Sequence, residues 1–277
     1  AKRLGPTTRH SYPQVSTGRP MKIAIVGAGI AGLALCEYLA DTEHTVTLVD
    51  SNDSLMASQA PTMLFHPFPG RSLEPHPLLH QAVTSAVELL QRWKKIAPES
   101  VRSQKIVRPV RSNNRLWNSF DRHWRSTSAK WATVALRSEE MDEFSCFSQG
   151  IHDGVLVCQP SYAIDMKLLR KALINNLQHR GVRYKKEKIT RLTRQHNGIA
   201  LHPGETFDRI VLALGAATLD WFPDAHLTNQ GGSLLKIPFS EALPYLLSIN
   251  GLHLGAHHDG DWVIGSTRWT RQPESSV

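Results

Sequence analysis

The chain has 277 residues, of which 41% are hydrophobic and 20% charged, a composition typical of a globular protein with a substantial core. No apolar run approaches the roughly 18 residues that a membrane span requires, and residues 1–20, predicted to form a disordered basic leader, lack the apolar stretch of a secretory signal. Three widely spaced cysteines without a C-x-x-C pair exclude a zinc or disulfide framework and favour a reducing, cytoplasmic location.

The formal net charge is +8, and much of the excess lies between Arg102 and Arg137. Two interpretations of this basic segment stay open. It forms a surface for a polyanion such as RNA, or it is a solvated basic face without a partner.

The first ordered elements form a β-α-β unit. Apolar strands are predicted at Lys22–Val26 and Thr45–Val49, on either side of a helix over Ile30–Leu39. Such crossovers are almost always right-handed and join parallel strands.

Two longer helices are predicted further on, over Leu78–Trp93 and over Asp165–Arg180, the second closed by Gly181. A single apolar, buried parallel strand is predicted over Phe207–Leu214 and should lie beside the first two strands. The remaining predicted strands are Gly154–Val157, Val182–Leu192, Gly198–Leu201, Ser233–Ile237, Tyr245–Ile249 and Trp262–Ser266.

The turn between the first strand and helix carries the pattern G-x-G-x-x-G at Gly27, Gly29 and Gly32. The first glycine permits a tight turn, the second lets a pyrophosphate approach the backbone, and the third lets the helix pack closely on the strand. Asp50 ends the second strand, where a carboxylate can accept hydrogen bonds from the adenosine ribose and disfavours a 2′-phosphate. This combination predicts a dinucleotide site.

Four later blocks follow in order: residues 57–64 (ASQAPTML), 154–173, 207–215 and 231–267. Together with the glycine unit they resemble the D-amino-acid oxidase/glycine oxidase family of FAD-dependent oxidoreductases, from Lys22 to about Trp269. The resemblance implies an α/β protein. Its Rossmann-like FAD-binding domain is expected to comprise residues 21–75 and 151–217, and a second, β-rich substrate domain residues 76–150 and 218–277.

The chain departs from the family pattern in three places. The first is Asp50, which stands where FAD-binding members more often have Glu. Asn229 to Gly232 stand where family members have R-G-Q, and the chain ends at Val277, where they continue with a strand, a loop and a helix. The expectation is that the C-terminal closing segment is missing.

The resemblance also implies the site residues. Flavin amine oxidation needs little acid–base assistance, so neither a catalytic residue nor a metal site is predicted. His253 and Arg268 are the substrate-side candidates, and Arg268 would hold a carboxylate. The cofactor candidates are Gly27, Gly29, Gly32, Asp50, Ser58, Met63, Ile189, Ala213 and Gly215.

The leading hypothesis is an FAD-dependent oxidoreductase that oxidises a C–N bond of a small amine or amino acid by hydride transfer to flavin. One alternative is a tRNA-modifying flavoprotein oxidase, because the loop ending in Pro67 resembles a loop of that enzyme. Another is a catalytically incomplete flavin-binding subunit. An NAD-dependent dehydrogenase fits less well, because a Ser/Pro-rich loop follows Asp50 where further β-α units would be expected. Predicted partners are the small substrate, possibly tRNA, and possibly a second copy or another subunit.

Overall fold

The protein is described here from a computed structural model. The described residues are 19–52, 57–67, 78–110, 132–136, 154–228, 232–238, 245–249, 252–257 and 259–265.

The described part of the chain is a mixed α/β structure. Its helices are α1 (Ile30–Leu39), α2 (Leu79–Ile96), α3 (Met166–His179) and the short α4 (Thr218–Trp221), with single 3-10 turns at Ala57–Gln59, Pro98–Ser100 and Gly215–Ala217. Its strands are β1 (Lys22–Val26), β2 (Thr45–Asp50), β3 (Met63–Phe65), β4 (Val101–Ser103), β5 (Ile106–Val110), β6 (Ala132–Leu136), β7 (Gly154–Cys158), β8 (Tyr162–Ile164), β9 (Arg183–Lys186), β10 (Arg191–Gln195), β11 (Gly198–His202), β12 (Thr206–Phe207), β13 (Arg209–Leu212), β14 (Leu235–Ile237), β15 (Leu246–Ile249), β16 (Leu252–Ala256) and β17 (Trp262–Gly265).

A parallel sheet of order β13-β1-β2-β9 is built from segments far apart in the chain. Ile25 lies between Leu48 on one side and Val211 on the other. The predicted parallel neighbours of the first strand are therefore confirmed, and so is the Rossmann-like β-α-β unit.

Each face of the parallel sheet has its own apolar cover. Ile25, Val46 and Leu48 pack with α1, α2 and α3 in one cluster, which contains the fully buried Trp93. On the other face Val26 and Val49 pack with Phe207 and its neighbours from the three-stranded sheet β10-β11-β12. Alternation along β1 and β2 places successive apolar side chains in the two layers.

A second region is dominated by antiparallel strands. Seven strands form a sheet of order β14-β17-β16-β15-β5-β7-β6, and β3, β8 and β4 form a small sheet that connects to α2 and α3. Val107, Val155 and Val157 are the buried centre of one face of the large sheet. The described residues contain no helix with the length and apolarity needed to cross a membrane.

Two strand predictions were wrong. The predicted strand Phe207–Leu214 divides into β12, in the antiparallel layer, and β13, at the edge of the parallel sheet, where Val211 is 37% exposed. Asp208 lies between them, and its carboxylate accepts a hydrogen bond from the backbone of Lys22 at 2.7 Å. The predicted strand Val182–Leu192 divides in the same way into β9 and β10. In both cases the chain passes from one sheet to another.

The remaining boundaries differ by few residues. β1 and α1 have the predicted ends, and β2 gains Asp50. Helix α2 begins one residue later than predicted and continues to Ile96, and α3 lies within the predicted Asp165–Arg180 because Asp165 is its N-cap and accepts a hydrogen bond from the backbone of Leu168 at 3.0 Å.

The buried carboxylate of Glu37 connects α1 to α2. It accepts a hydrogen bond from Nε of Arg92 at 2.9 Å and another from Nε1 of Trp93, and the residue is only 7% exposed. We predict that Glu37→Ala lowers the free energy of unfolding by about 1–3 kcal/mol, because it leaves the buried indole N–H without its acceptor. Urea denaturation measures the loss.

Glu43→Ala is the matched control, since Glu43 is exposed in the turn before β2 and its truncation should change stability by less than about 0.5 kcal/mol. Equal effects of the two substitutions would show that the α1–α2 contact does not depend on this carboxylate.

Candidate functional site

The glycine turn at the carboxyl end of β1 is packed tightly at two of its three glycines. Gly27 has φ +107°, and a β-carbon there would lie 2.3 Å from the carbonyl oxygen of Ala213. A β-carbon on Gly32 would lie 1.9 Å from the carbonyl oxygen of Gly27. Only glycine fits at these positions, so β1, β13 and α1 can approach one another closely.

Gly29 is different, because its missing side chain leaves space beside the turn. Among the described residues, a β-carbon there would meet the hydroxyl oxygen of Ser58, at 3.3 Å, and no other atom within 4 Å. Gly29 is the N-cap of α1 and has no side chain of its own that could cap the helix. The positive end of the helix therefore faces a space in which backbone N–H groups can receive an anion.

Ser58 lies at this helix end. Its hydroxyl oxygen accepts a hydrogen bond from the backbone of Ile30 at 3.1 Å, so its own proton can be directed to another acceptor. Its predicted role as a donor to a phosphate oxygen stays a prediction, and this geometry is compatible with it.

Asp50 is buried, and its carboxylate holds the backbone of the glycine turn by hydrogen bonds. One carboxylate oxygen accepts a hydrogen bond from the backbone of Ala28 at 2.8 Å, and the other accepts one from the backbone of Asn52, also at 2.8 Å. Asn52 adopts φ +57°, the left-handed conformation that Asn tolerates better than most residues. The carboxylate therefore organises the backbone on both sides of the predicted ribose position.

Arg170 on α3 completes this arrangement and was not among the predicted site residues. Its guanidinium donates to Asp50 Oδ2 at 2.5 Å, to Asn52 Oδ1 at 3.0 Å and to the carbonyl oxygen of Ala28 at 3.1 Å. A helical projection could have indicated it, because Arg170 lies one turn after Met166 and one turn before Leu173 on the buried side of the helix.

The other cofactor candidates lie in three places. Ala213 joins the end of β1, since its N–H donates to the carbonyl oxygen of Val26 at 2.8 Å, and Gly215 follows with φ +56° in open space. Ile189 is buried on the face of the parallel sheet that packs against Phe207. Met63 lies in β3, opposite Ile164, partly buried against the helical core. Their predicted contacts with the cofactor stay predictions.

One of the two substrate-side candidates lies in the large sheet. His253 is in β16, opposite Ser248 and Gly265 in the large sheet. Arg268 lies outside the described residues. Within the described part of the chain, no group of three or more His, Cys, Asp or Glu side chains could hold a metal ion.

Two further basic residues lie near His253 and were not predicted. His66 follows β3, and Arg108 is in β5; both are partly buried. Burial and the charges of Arg108 and His253 lower the pKa of His66 to about 4, so His66 is neutral at neutral pH. Burial also lowers the pKa of Arg108 from its ordinary value, although its guanidinium stays charged.

Most of the basic segment from Arg102 to Arg137 lies outside the described residues. In its described part, Arg102 donates to the carbonyl oxygen of His257 at 3.2 Å, and Arg108 is partly buried. Lys105 is exposed. The choice between an RNA surface and a solvated face therefore stays a prediction.

The ion pair between Arg170 and Asp50 can be tested for its contribution to the stability of the glycine turn. The two side chains are 11% and 2% exposed. We predict that Arg170→Met lowers the free energy of unfolding by about 3–5 kcal/mol, because it leaves the Asp50 carboxylate buried without its cation. Lys171→Met changes a cation at an exposed position of the same helix and should cost less than about 0.5 kcal/mol. Losses of similar size in both variants would contradict this role for Arg170.

The chain was compared with known families and structures. A family model described as DAO, FAD dependent oxidoreductase, matches residues 22–277. No curated protein sequence matches the chain significantly.

Solved flavoenzyme structures share the fold at low sequence identity. Glycine oxidase from Geobacillus kaustophilus superposes with a TM-score of 0.74 at 18% identity, covering 92% of this chain and 73% of that protein. Iminodiacetate oxidase from a Chelativorans species gives a TM-score of 0.69 at 16% identity, covering 92% and 74%. L-proline dehydrogenase from P. horikoshii gives 0.72 at 10% identity, covering 92% and 72%. At these identities the likeness establishes the fold.

The family match spans both the glycine turn and the large antiparallel sheet, and the superpositions cover the same parts of the chain. The tight turn, the space beside Gly29 and the N-terminus of α1 fit the pyrophosphate of a dinucleotide. The chain therefore belongs to the DAO family of FAD-dependent oxidoreductases, an enzyme family whose cofactor is FAD.

Proposed function

We propose that this enzyme oxidises a C–N bond of a small amine or amino acid. The observation that supports the proposal is the fold shared over both halves of the chain, because several proteins with this fold are named for such substrates. Their names refer to glycine, iminodiacetate and L-proline. All three compounds carry a carboxylate next to an amine-bearing carbon, which defines the substrate class.

The residues around the glycine turn would hold the ADP part of FAD. Gly29 and the N-terminus of α1 would receive the pyrophosphate, and Ser58 would donate to one of its oxygens. Asp50 Oδ1 accepts one protein hydrogen bond, from Ala28, and retains capacity for a ribose hydroxyl. Arg170 would keep the turn in its binding geometry before FAD arrives.

FAD supplies the two-electron acceptor for such a reaction. The protein's part is then to bind the amine against the flavin, orient its C–H bond and exclude water. The small sheet containing Met63 and the large sheet containing His253 are the surfaces proposed to do this. The division of the chain into a cofactor domain and a substrate domain also stays a proposal.

Gly29 provides a direct test of the cofactor site. We predict that Gly29→Val reduces the FAD retained after purification to less than about a tenth of the wild-type content, because its methyl groups occupy the space of the pyrophosphate. The visible absorption per polypeptide measures this loss. Its thermal unfolding midpoint should stay close to wild type, since the neighbour of the added β-carbon within the described part of the chain is the movable hydroxyl of Ser58.

Gly32→Ala is the contrasting variant. Its β-carbon would collide with the backbone of Gly27, so the midpoint itself should fall. Full flavin content in Gly29→Val would show that this turn does not hold FAD.

The reaction class is tested by mixing the FAD-loaded protein anaerobically with single candidate substrates. Glycine, sarcosine, iminodiacetate, L-proline and D-alanine form the first panel, and tRNA bearing a carboxymethylaminomethyl uridine tests the alternative of an RNA-modifying oxidase. We predict that at least one of the small amines bleaches the visible flavin band, because its oxidation transfers two electrons to the cofactor.

The possible results separate the hypotheses. Bleaching by the tRNA alone would replace the small-amine proposal with the RNA-modifying alternative. A stable flavin band with every compound would favour the hypothesis of a flavin-binding subunit without its own turnover.

A further inference from the structure

His257 follows β16, in the turn that leads to β17, and its imidazole ring meets a carboxylate at each nitrogen. Nε2 lies 3.2 Å from Oδ2 of Asp165, and Nδ1 lies 2.7 Å from Oδ1 of Asp259. The side chain of His257 is only 9% exposed, and that of Asp165 is 5% exposed. A histidine therefore bridges two acids at a largely buried contact, which we call the His257 bridge.

The two acids belong to different parts of the fold. Asp165 is the N-cap of α3, whereas Asp259 lies in the turn of the large sheet. Arg102 of β4 adds a second link to this turn, because its guanidinium donates to the carbonyl oxygen of His257 at 3.2 Å. The His257 bridge therefore joins the large sheet to the helix whose Arg170 holds the glycine turn.

Both contacts of the ring require one more proton than a neutral imidazole carries. A neutral ring has a single N–H, and an ionised carboxylate only accepts hydrogen bonds. Asp259 is ionised, because the hydrogen bond from Lys236 holds the pKa of its carboxyl well below the ordinary value. Asp165 lies at the N-terminus of α3, where the helix dipole favours a negative charge. Two hydrogen bonds from His257 therefore need an imidazolium, which donates from both nitrogens.

The charge balance around the ring agrees with this protonation state. The charged side chains around the ring in the described part of the chain include Arg102, Asp165, Lys236, Asp259 and Asp261. They come from β4, from β14, from the N-terminus of α3 and from the turn itself. Three acids and two cations leave one net negative charge, which an imidazolium at the centre neutralises.

We propose that His257 is a positioning residue whose proton holds the large sheet against the N-terminus of α3 and thereby keeps the glycine turn in its cofactor-binding geometry. When the ring loses this proton, one nitrogen presents a lone pair to a carboxylate, and that hydrogen bond is lost. The His257 bridge is therefore complete at low pH and weakens as the pH rises through the titration of the ring. The path to the cofactor is short, because Arg170 lies in the second turn of α3. The inference rests on the cofactor of the family and not on the identity of the amine.

The experiment measures the FAD affinity of the full chain, freed of flavin, at about pH 6 and about pH 9, on either side of neutrality, where histidines change charge. Quenching of flavin fluorescence during the titration gives the Kd without turnover. We expect His257→Gln to weaken FAD binding at the lower pH by at least about fivefold, the smaller end of typical coupling between sites. At the higher pH the wild-type bridge is already broken, so the variant should be within about twofold of wild type.

Asp165→Asn distinguishes a proton-dependent bridge from simple packing. Its amide oxygen can still cap α3, and its NH₂ group can donate to Nε2 of a neutral ring while Nδ1 donates to Asp259. Its FAD affinity should therefore change by less than about twofold between the two pH values, whereas that of wild type falls by at least about fivefold. His196→Gln is the matched control, since His196 is exposed between β10 and β11, and it should follow wild type at both pH values.

Three results would overturn the His257 bridge. They are an equal loss of affinity in His257→Gln at both pH values, no loss at either pH, and a wild-type pH response that persists in Asp165→Asn. If His257→Gln does not fold, judged by circular dichroism, the comparison of Asp165→Asn with His196→Gln decides the question in the same way. Bleaching by an amine at a single pH tests the proposed function independently of these results.

Discussion

The arrangement of the cofactor half depends on one buried carboxylate. Asp50 receives a backbone hydrogen bond from Ala28 in the glycine turn, another from Asn52 after β2, and the guanidinium of Arg170 from α3. A buried carboxylate without partners would be costly, so these three donors stabilise the acid while the acid connects the segments that carry them. One group therefore joins α3, the glycine turn and the end of β2.

The two halves of the chain offer different means of recognition. In the cofactor half an acid orders the backbone, so that N–H groups at the end of α1 are available to an anion. This arrangement uses backbone dipoles, which suits a pyrophosphate shared by many proteins. The large sheet presents side chains instead, and these can change from one enzyme to another without disturbing the sheet.

Local signals in the sequence were sufficient for the β-α-β unit, because the glycine pattern, the apolar strands and Asp50 occur within residues 22–50 and reinforce one another. The same reasoning failed where the chain changes sheets. Residues 206–212 have the apolar character of one strand, and only the packing of Phe207 into a different layer separates β12 from β13. The site residues followed the same division. Gly27, Gly29, Gly32 and Ser58 meet at the turn. The contacts of Arg170 with Asp50 and Ala28, by contrast, join segments remote in sequence, and no local pattern encodes them.

The order of the parallel sheet also has a consequence for how the protein is made. The backbone of Lys22 bonds to Asp208, 186 residues further along the chain, and β1 acquires its second neighbour only from residues 209–212. During synthesis the first β-α-β unit therefore leaves the ribosome long before one edge of its sheet can be covered. An unpaired strand edge of this kind is prone to pair with other chains, and closing such a long loop slows folding. Nascent chains stopped before residue 209 should thus depend strongly on chaperones, whereas those extended past it should become resistant to aggregation.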